Sequence, residues 1–362
     1  MKILITGNMG YVGPGVVSQL RATYPEATLV GYDMAYFATS LTNAPFLPES
    51  KLDQQLFGDV RTMPAEVLEG MDAVVHLAAI SNDPMGNKFE EVTLDVNYRS
   101  TIRIAEMAKA AGVKNYVFAS SCSMYGAASE QAKTEDSELN PLTAYARSKV
   151  ASEKELAPLA GDGFTVTCLR FATACGMSDR LRLDLVLNDF VAGAISTGKI
   201  TILSDGSPWR PLIHVKDMAR AIEWAITRTP ENGGEFLAVN AGSNEWNYQV
   251  KELAEAVAEI IPGTEVSVNL EAAPDKRSYR VNFDKFKALA PNHQPQVSLK
   301  QAIKELRDGL TQMDFKDGDF RNSLLMRLKV LTSLQETNAI NEQLQWNRST
   351  ANVAKETELE IA

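Results

Sequence analysis

The chain has 362 residues, 45% of them hydrophobic, enough for one large domain or two interlocked ones to enclose a proper core. Its net charge of −10, with no dense lysine and arginine run, argues against a nucleic-acid partner, and no segment approaches the roughly 20 apolar residues of a membrane span. Three cysteines, Cys122, Cys168 and Cys175, lack metal-ligand pairing, which speaks against a disulfide framework or a zinc site and for a reducing, cytoplasmic setting.

The first apolar run, residues 2–6, ends at a glycine and reads as a strand rather than a signal peptide. Further strands are expected at 28–32, 54–57, 73–77, 116–119 and 165–170, with helices at 11–24, 92–111 and 144–159. Short apolar runs alternating with helices long enough to cross between parallel strands predict an α/β fold with a doubly wound parallel sheet. Past Cys175 the alternation loosens: a helix at 184–197, a strand at 200–203, a turn at 204–208, a helix at 214–227 and a strand at 236–239 that rejoins the sheet. The expected division is a dinucleotide-binding domain over 1–174, rejoined by about 212–245, and a smaller interleaved substrate lobe from 175–211 and 246–311. The remaining 312–362 form a helical extension. Within it, Leu324, Leu325, Leu328, Leu331 and Leu334 give a helix over 322–345 an apolar face to dock on the body or on a neighbouring subunit. There are no internal repeats.

Gly7-Asn8-Met9-Gly10-Tyr11-Val12-Gly13 joins the first strand to the first helix, where backbone N–H groups and the positive helix end can meet a dinucleotide pyrophosphate. The glycines alone would equally suit a tight turn without a ligand. Asp33, at the end of the second strand and 20 residues after Gly13, is placed to accept both ribose hydroxyls of an adenosine and to repel a 2′-phosphate, which favours NAD over NADP. Asp59, followed by Val60, follows the third strand and can reach the adenine amino group. Leu77-Ala78-Ala79 leave room at the end of the fourth strand for the cofactor to pass, while the preceding His76 reads as a buried core histidine. Tyr145 and Lys149 lie four apart on one helical face, so a phenol and an ammonium can approach the same nicotinamide, the charge favouring the phenolate. Ser120 and Ser121 follow the fifth strand, where a hydroxyl can orient the reacting oxygen.

Together these motifs make the chain resemble the extended short-chain dehydrogenase/reductase family, in its nucleotide-sugar epimerase/dehydratase branch of UDP-glucose 4-epimerase type. The resemblance runs from Met1 to roughly Leu310 and includes Asn97 and the stretch Arg210-Pro211-Leu212-Ile213-His214-Val215. It implies a Rossmann fold with NAD, a nucleotide-sugar substrate, a catalytic hydroxyl at Ser121, an acid/base at Tyr145 and a nicotinamide-ribose contact at Lys149. It also implies that Asn97 stabilises the active-site backbone, that Arg210 binds diphosphate, that Ser81 contacts the sugar, and that the enzyme is a homodimer paired through the helices at 92–111 and 144–159. Arg180, Arg182 and Asn188 fall at the mouth expected to hold the sugar nucleotide, and Ser123 is a further candidate for substrate contact. The usual Arg-Pro-Gly-Asp phosphate contact is absent, and Arg277 or Arg280 stands in its region.

Two departures bear on the reaction. Where the sugar 4,6-dehydratases carry Asp-Glu after the catalytic hydroxyl, this chain has Cys122 and Ser123; the 3,5-epimerase/reductases carry a cysteine where Ser123 stands. What remains is redox chemistry at one carbinol centre. A 4-epimerase passing through a transient 4-keto sugar leads, a one-way keto-sugar reductase or dehydrogenase follows, and a catalytically silent NAD-binding regulatory protein is the reading from a different class.

Overall fold

The computed structural model describes residues 1–126, 131–269 and 278–347. Among the described residues there are twelve strands: β1 (Lys2–Thr6), β2 (Thr28–Asp33), β3 (Gln54–Phe57), β4 (Ala73–His76), β5 (Asn115–Ser121), β6 (Thr165–Phe171), β7 (Thr173–Cys175), β8 (Lys199–Ile202), β9 (Trp209–His214), β10 (Phe236–Ala241), β11 (Asn247–Gln249) and β12 (Glu265–Val268). The main helices are α1 (Gly13–Thr23), α2 (Asp83–Lys88), α3 (Glu90–Leu94), α4 (Ser100–Ala110), α5 (Ala144–Leu156), α6 (Val186–Thr197), α7 (Val215–Ala225), α8 (Val250–Ile260), α9 (Asp284–Leu289), α10 (Leu299–Gln312) and α11 (Arg327–Glu336).

Seven strands form one parallel sheet in the order β10-β6-β5-β4-β1-β2-β3. Its strands alternate between two apolar clusters: Ile3, Ile5, Val75 and Val117 belong to one, and Leu4, Val74, Tyr116 and Phe118 to the other. Period-two alternation with both sets buried is what a sheet covered by helices on both faces requires. The strand order reverses between β1 and β4, so their carboxyl ends open a crevice of the kind that binds ligands in open α/β sheets. A three-stranded sheet, β11-β9-β7, and a parallel pair, β12 and β8, lie beyond.

Two elements differ from the sequence reading. The helix expected over 92–111 is interrupted by a π-helical turn, Asp95–Arg99, between α3 and α4. The wider turn carries Asn97, fully buried, whose side chain bonds across to another segment. The helix expected over 322–345 is only α11, ten residues long. Leu324 lies outside it and is exposed, Leu325 packs on the larger cluster, and Leu331 is buried with Leu344 and Ile340 against Ile80, Met85, Phe89 and Val92. The docking is therefore on the body of the same chain. No described helix is long and apolar enough to cross a membrane.

Candidate active site

The loop after β1 is shaped by its glycines. Gly7 has φ 75°, and a Cβ there would lie 2.5 Å from the backbone nitrogen of Ala78; at Gly13 it would lie 1.9 Å from the carbonyl oxygen of Asn8. The loop therefore folds back on itself and against the end of β4 only because side chains are missing, and this brings the first turn of α1, with its unpaired amides, to the crevice. Asp33 is half-buried beside it. Its carboxylate accepts the N–H groups of Met9 (3.0 Å) and Ala35 (2.7 Å), and burial outweighs these bonds to raise its pKa.

A cleft of about 760 Å³ runs from here across the sheet. Its walls include Gly7, Gly10, Tyr11, Val12, Asp33, Asp59, Val60, Leu77, Ala78 and Ala79 towards one end, and Ser120, Ser121, Ser123, Tyr145, Lys149, Ser81 and Arg210 towards the other. The volume is typical of a small-molecule site. Asp59 is held by Arg61, which donates from its backbone N–H (2.8 Å) and Nε (2.8 Å) to the carboxylate. His76 is buried between Thr6 Oγ1 (2.7 Å) and Thr101 Oγ1 (3.0 Å), and burial pulls it down to about 3, so it is a neutral core residue.

Tyr145 and Lys149 sit in the first turns of α5, which Thr143 caps by accepting the Ala146 N–H. Lys149 is buried; its Nζ donates to the Ala119 carbonyl at 2.6 Å and lies 5.6 Å from the centre of the Tyr145 ring. Burial pulls Lys149 down to about 7 and pushes Tyr145 up to about 12, while a hydrogen bond with Ser121 lowers the latter. In the protein alone, desolvation thus outweighs the effect expected from a neighbouring cation. Ser121 Oγ also bonds Ser123 Oγ at 3.0 Å. Behind them Ser120 donates to Glu153 (2.5 Å), which pairs with Arg170 in a buried ion pair at 2.7 Å, and Arg170 in turn donates to Tyr125 Oη. This fixed network backs the wall that carries the serines.

Several expected site residues stand away from the cleft wall. Met9 is bonded to Asp33, and Gly13 packs on Asn8. Asn97 bonds both the N–H (2.7 Å) and carbonyl (3.0 Å) of Ile80 and the Ser148 hydroxyl (3.2 Å), holding the cleft's backbone from behind. Arg180, expected at the substrate mouth, is fully buried and pairs with Glu49 at 2.6 Å; Asn188 is committed to the Gly176 N–H, the Tyr11 hydroxyl and the Arg182 carbonyl. Arg280 stacks its guanidinium 5.2 Å from the Trp209 ring instead of lining the cleft, and Arg277 lies outside the described residues. These side chains satisfy internal partners, which spacing alone does not reveal. Conversely, Asn82, Arg182, Asp184, Tyr279, Arg327, Leu331 and Leu344 line the cleft. Of these only Arg182 was among the sequence candidates; the last three come from the C-terminal segment, which carries no recognisable motif.

A glycine-turned strand–helix crossing, an acidic residue at the end of the second strand and a Ser, Tyr and Lys set at the far end of one cleft define a dinucleotide-dependent enzyme of the short-chain dehydrogenase/reductase type. The chain belongs to the NAD dependent epimerase/dehydratase family, whose model matches residues 3–242. It is 28% identical over 318 residues to an uncharacterised UDP-glucose epimerase of Bacillus subtilis, covering 84% of this chain and 96% of that one. It is 29% identical over 285 residues to a UDP-glucose 4-epimerase of Lactobacillus helveticus, covering 73% and 84%. The fold superposes on the UDP-glucuronic acid 4-epimerase of Bacillus cereus, solved with UDP-glucuronic acid and NAD, with a TM-score of 0.74 and 23% identity over 86% of this chain and all of that one. NAD is the cofactor of this family, and the residues present fit it: a carboxylate for a ribose at one end, a helix N-terminus for a diphosphate, and a buried lysine and tyrosine at the other.

Proposed function

We propose that the protein is an NAD-dependent nucleotide-sugar 4-epimerase working through a transient 4-keto sugar. The observation that carries this reading is the Ser121, Tyr145 and Lys149 set in one cleft, with no acid or base immediately after Ser121 to eliminate water. Cys122 is buried, its thiol donates to the Arg170 carbonyl at 3.0 Å, and burial pushes its pKa up. Ser123 offers only a hydroxyl, already bonded to Ser121. The relatives named UDP-glucose 4-epimerase support the same reading.

When bound, NAD supplies a reversible hydride acceptor, which suits a reaction that ends at the oxidation level where it began. Tyr145 takes the proton from the sugar O4 and later returns it, and Ser121 orients that oxygen. A protonated Lys149 beside the ring favours the phenolate form of Tyr145 when the proton leaves. Arg210, on β9 at the cleft wall, takes the nucleotide diphosphate, where a guanidinium suits bidentate contact. Ser81, which accepts from Arg182 at 2.9 Å, and Ser123 face the sugar. The reading, by the same family resemblance, includes a cytoplasmic homodimer joined through α4 and α5, checked by sedimentation.

The test gives the purified protein UDP-glucose without added cofactor and follows the sugar by NMR. Appearance of the C4 epimer supports the proposal. In a parallel assay supplied with NADH and a 4-keto nucleotide sugar, consumption of one NADH per keto-sugar reduced, with no epimer formed from UDP-glucose, establishes the reductase instead.

A further inference from the structure

Three guanidinium groups cluster beside the cofactor cleft, Arg182 and Arg327 on its wall and Arg180 behind it, and among the described residues only two have a carboxylate within ion-pair distance. Arg180 pairs with Glu49 at 2.6 Å and Arg182 with Asp184 at 2.5 Å. Arg327, the first residue of α11, is buried, and among the described residues no carboxylate lies within ion-pair distance of it. Its Nη2 donates to the Arg180 carbonyl at 2.7 Å, its Cζ lies 4.4 Å from the centre of the Phe37 ring, and its Nη1 has no hydrogen-bond partner. Burial and the charges of Arg182 and Arg180, opposed by the carboxylate of Asp184, pull it down to about 9, still protonated at neutral pH. Asp184, the carboxylate that acts on it, is already paired with Arg182, and a buried cation left without a counter-charge of its own is costly unless a ligand supplies one.

The segment that follows Arg327 spans the cleft. On one side Lys88, at the end of α2, donates to Thr332 Oγ1 at 2.9 Å, and Leu331 packs against Ile80 and Met85. On the other, Arg61 donates to the Gln343 carbonyl and the Trp346 indole to the Met34 carbonyl, both at 2.7 Å, and the Tyr36 hydroxyl bonds the Leu344 carbonyl. Met34 and Tyr36 follow Asp33, and Arg61 holds Asp59, so these ties fall on the adenosine end. Leu344 adopts φ 55°, a left-handed conformation unfavourable for leucine, yet it is buried and lines the cleft with Leu331 and Arg327.

We propose that residues 327–346 are a strap over the cofactor cleft, and that Arg327 supplies through it the uncompensated positive charge that holds the cofactor's diphosphate. The strap closes the adenosine end and the guanidinium neutralises an anion beside the helix N-terminus. NAD is thereby retained between turnovers. The inference depends on the family's NAD requirement and not on which sugar reaction the site performs.

The experiment strips full-length wild type, R327K and R327M of nucleotide and titrates each with NAD, ADP-ribose, adenosine and UDP. The R327M variant is expected to bind NAD and ADP-ribose about tenfold or more weakly, the loss of one charge-assisted contact. R327K keeps most of that affinity, and adenosine and UDP bind all three proteins equally. Unchanged NAD affinity in R327M overturns the proposal, and so does a loss confined to UDP, which would assign the charge to the substrate's diphosphate. Thermal unfolding without ligand reports whether R327M is folded. Independently, W346A removes the tie to Met34 from a partly exposed position, and NAD should leave the loaded variant several-fold faster in a desalting assay. Release at the wild-type rate removes the strap.

Discussion

Replacing Lys149 by methionine should abolish catalysis and, at neutral pH and below, make the protein more stable. In the folded, nucleotide-free protein burial takes this amine from its ordinary 10.5 to about 7. At about 1.4 kcal/mol per pH unit, charging it in place costs up to ~5 kcal/mol relative to the unfolded chain. The sign follows from proton binding: between pH 7 and 10.5 the unfolded chain holds a proton that the folded chain lacks. The penalty is therefore complete below the folded pKa and vanishes as pH rises through the unfolded one. Methionine has a similar apolar body and no charge, but it leaves the Ala119 carbonyl without its donor at 2.6 Å, a loss of ~1–3 kcal/mol. Lys149→Met should thus gain about 2–4 kcal/mol at pH 6 and lose its advantage, or fall below wild type, by about pH 10. Urea titrations at pH 6, 7, 8, 9 and 10 read the difference directly. A difference that does not change with pH would refute the burial argument, as would a variant less stable than wild type at pH 6.

Tyr145→Phe keeps the ring and removes the proton carrier; epimer formation should fall by about 10²–10⁴-fold while NAD binding, followed by calorimetry, stays intact. In Gly13→Ala the new methyl meets the Asn8 carbonyl at 1.9 Å, so the loop must open, and NAD loading measured by absorbance should be lost from a protein whose circular dichroism is preserved. Asp33→Asn removes the negative charge and keeps only one of the two oxygens that accept separately from Met9 and Ala35, so NAD binding should weaken while the preference for NAD over NADP shrinks by about tenfold in paired titrations.

The sheet was legible because its information is local. Apolar runs such as residues 2–6, with Gly7 at the turn, and 73–77, with Ala78 and Ala79 after it, specify strand, crossover and crevice, and the crevice fixes where Asp33, Ser121 and Tyr145 line one cleft. The π-helical turn at Asn97 was not legible, since nothing in the run 92–111 marks it, and its Asn97 side chain bonds Ile80, 17 residues away. Arg180 and Asn188 were assigned to the substrate mouth by sequence position, whereas their partners, Glu49 and Tyr11, lie 131 and 177 residues distant. Likewise, the leucine pattern near 324–334 implied a longer helix; the chain instead leaves it at Glu336 and returns over the cleft through Leu344 and Trp346. Such ties depend on long-range closure, which periodicity cannot encode.

The proposed reaction is reversible oxidation and reduction at one sugar carbon without net use of cofactor. UDP-glucose deuterated at C4, incubated with the purified protein and no added cofactor, tests it most directly. The C4 epimer should accumulate with deuterium still at C4, and no free NADH should appear. Label lost to solvent, or a keto-sugar accumulating alongside NADH, would contradict it.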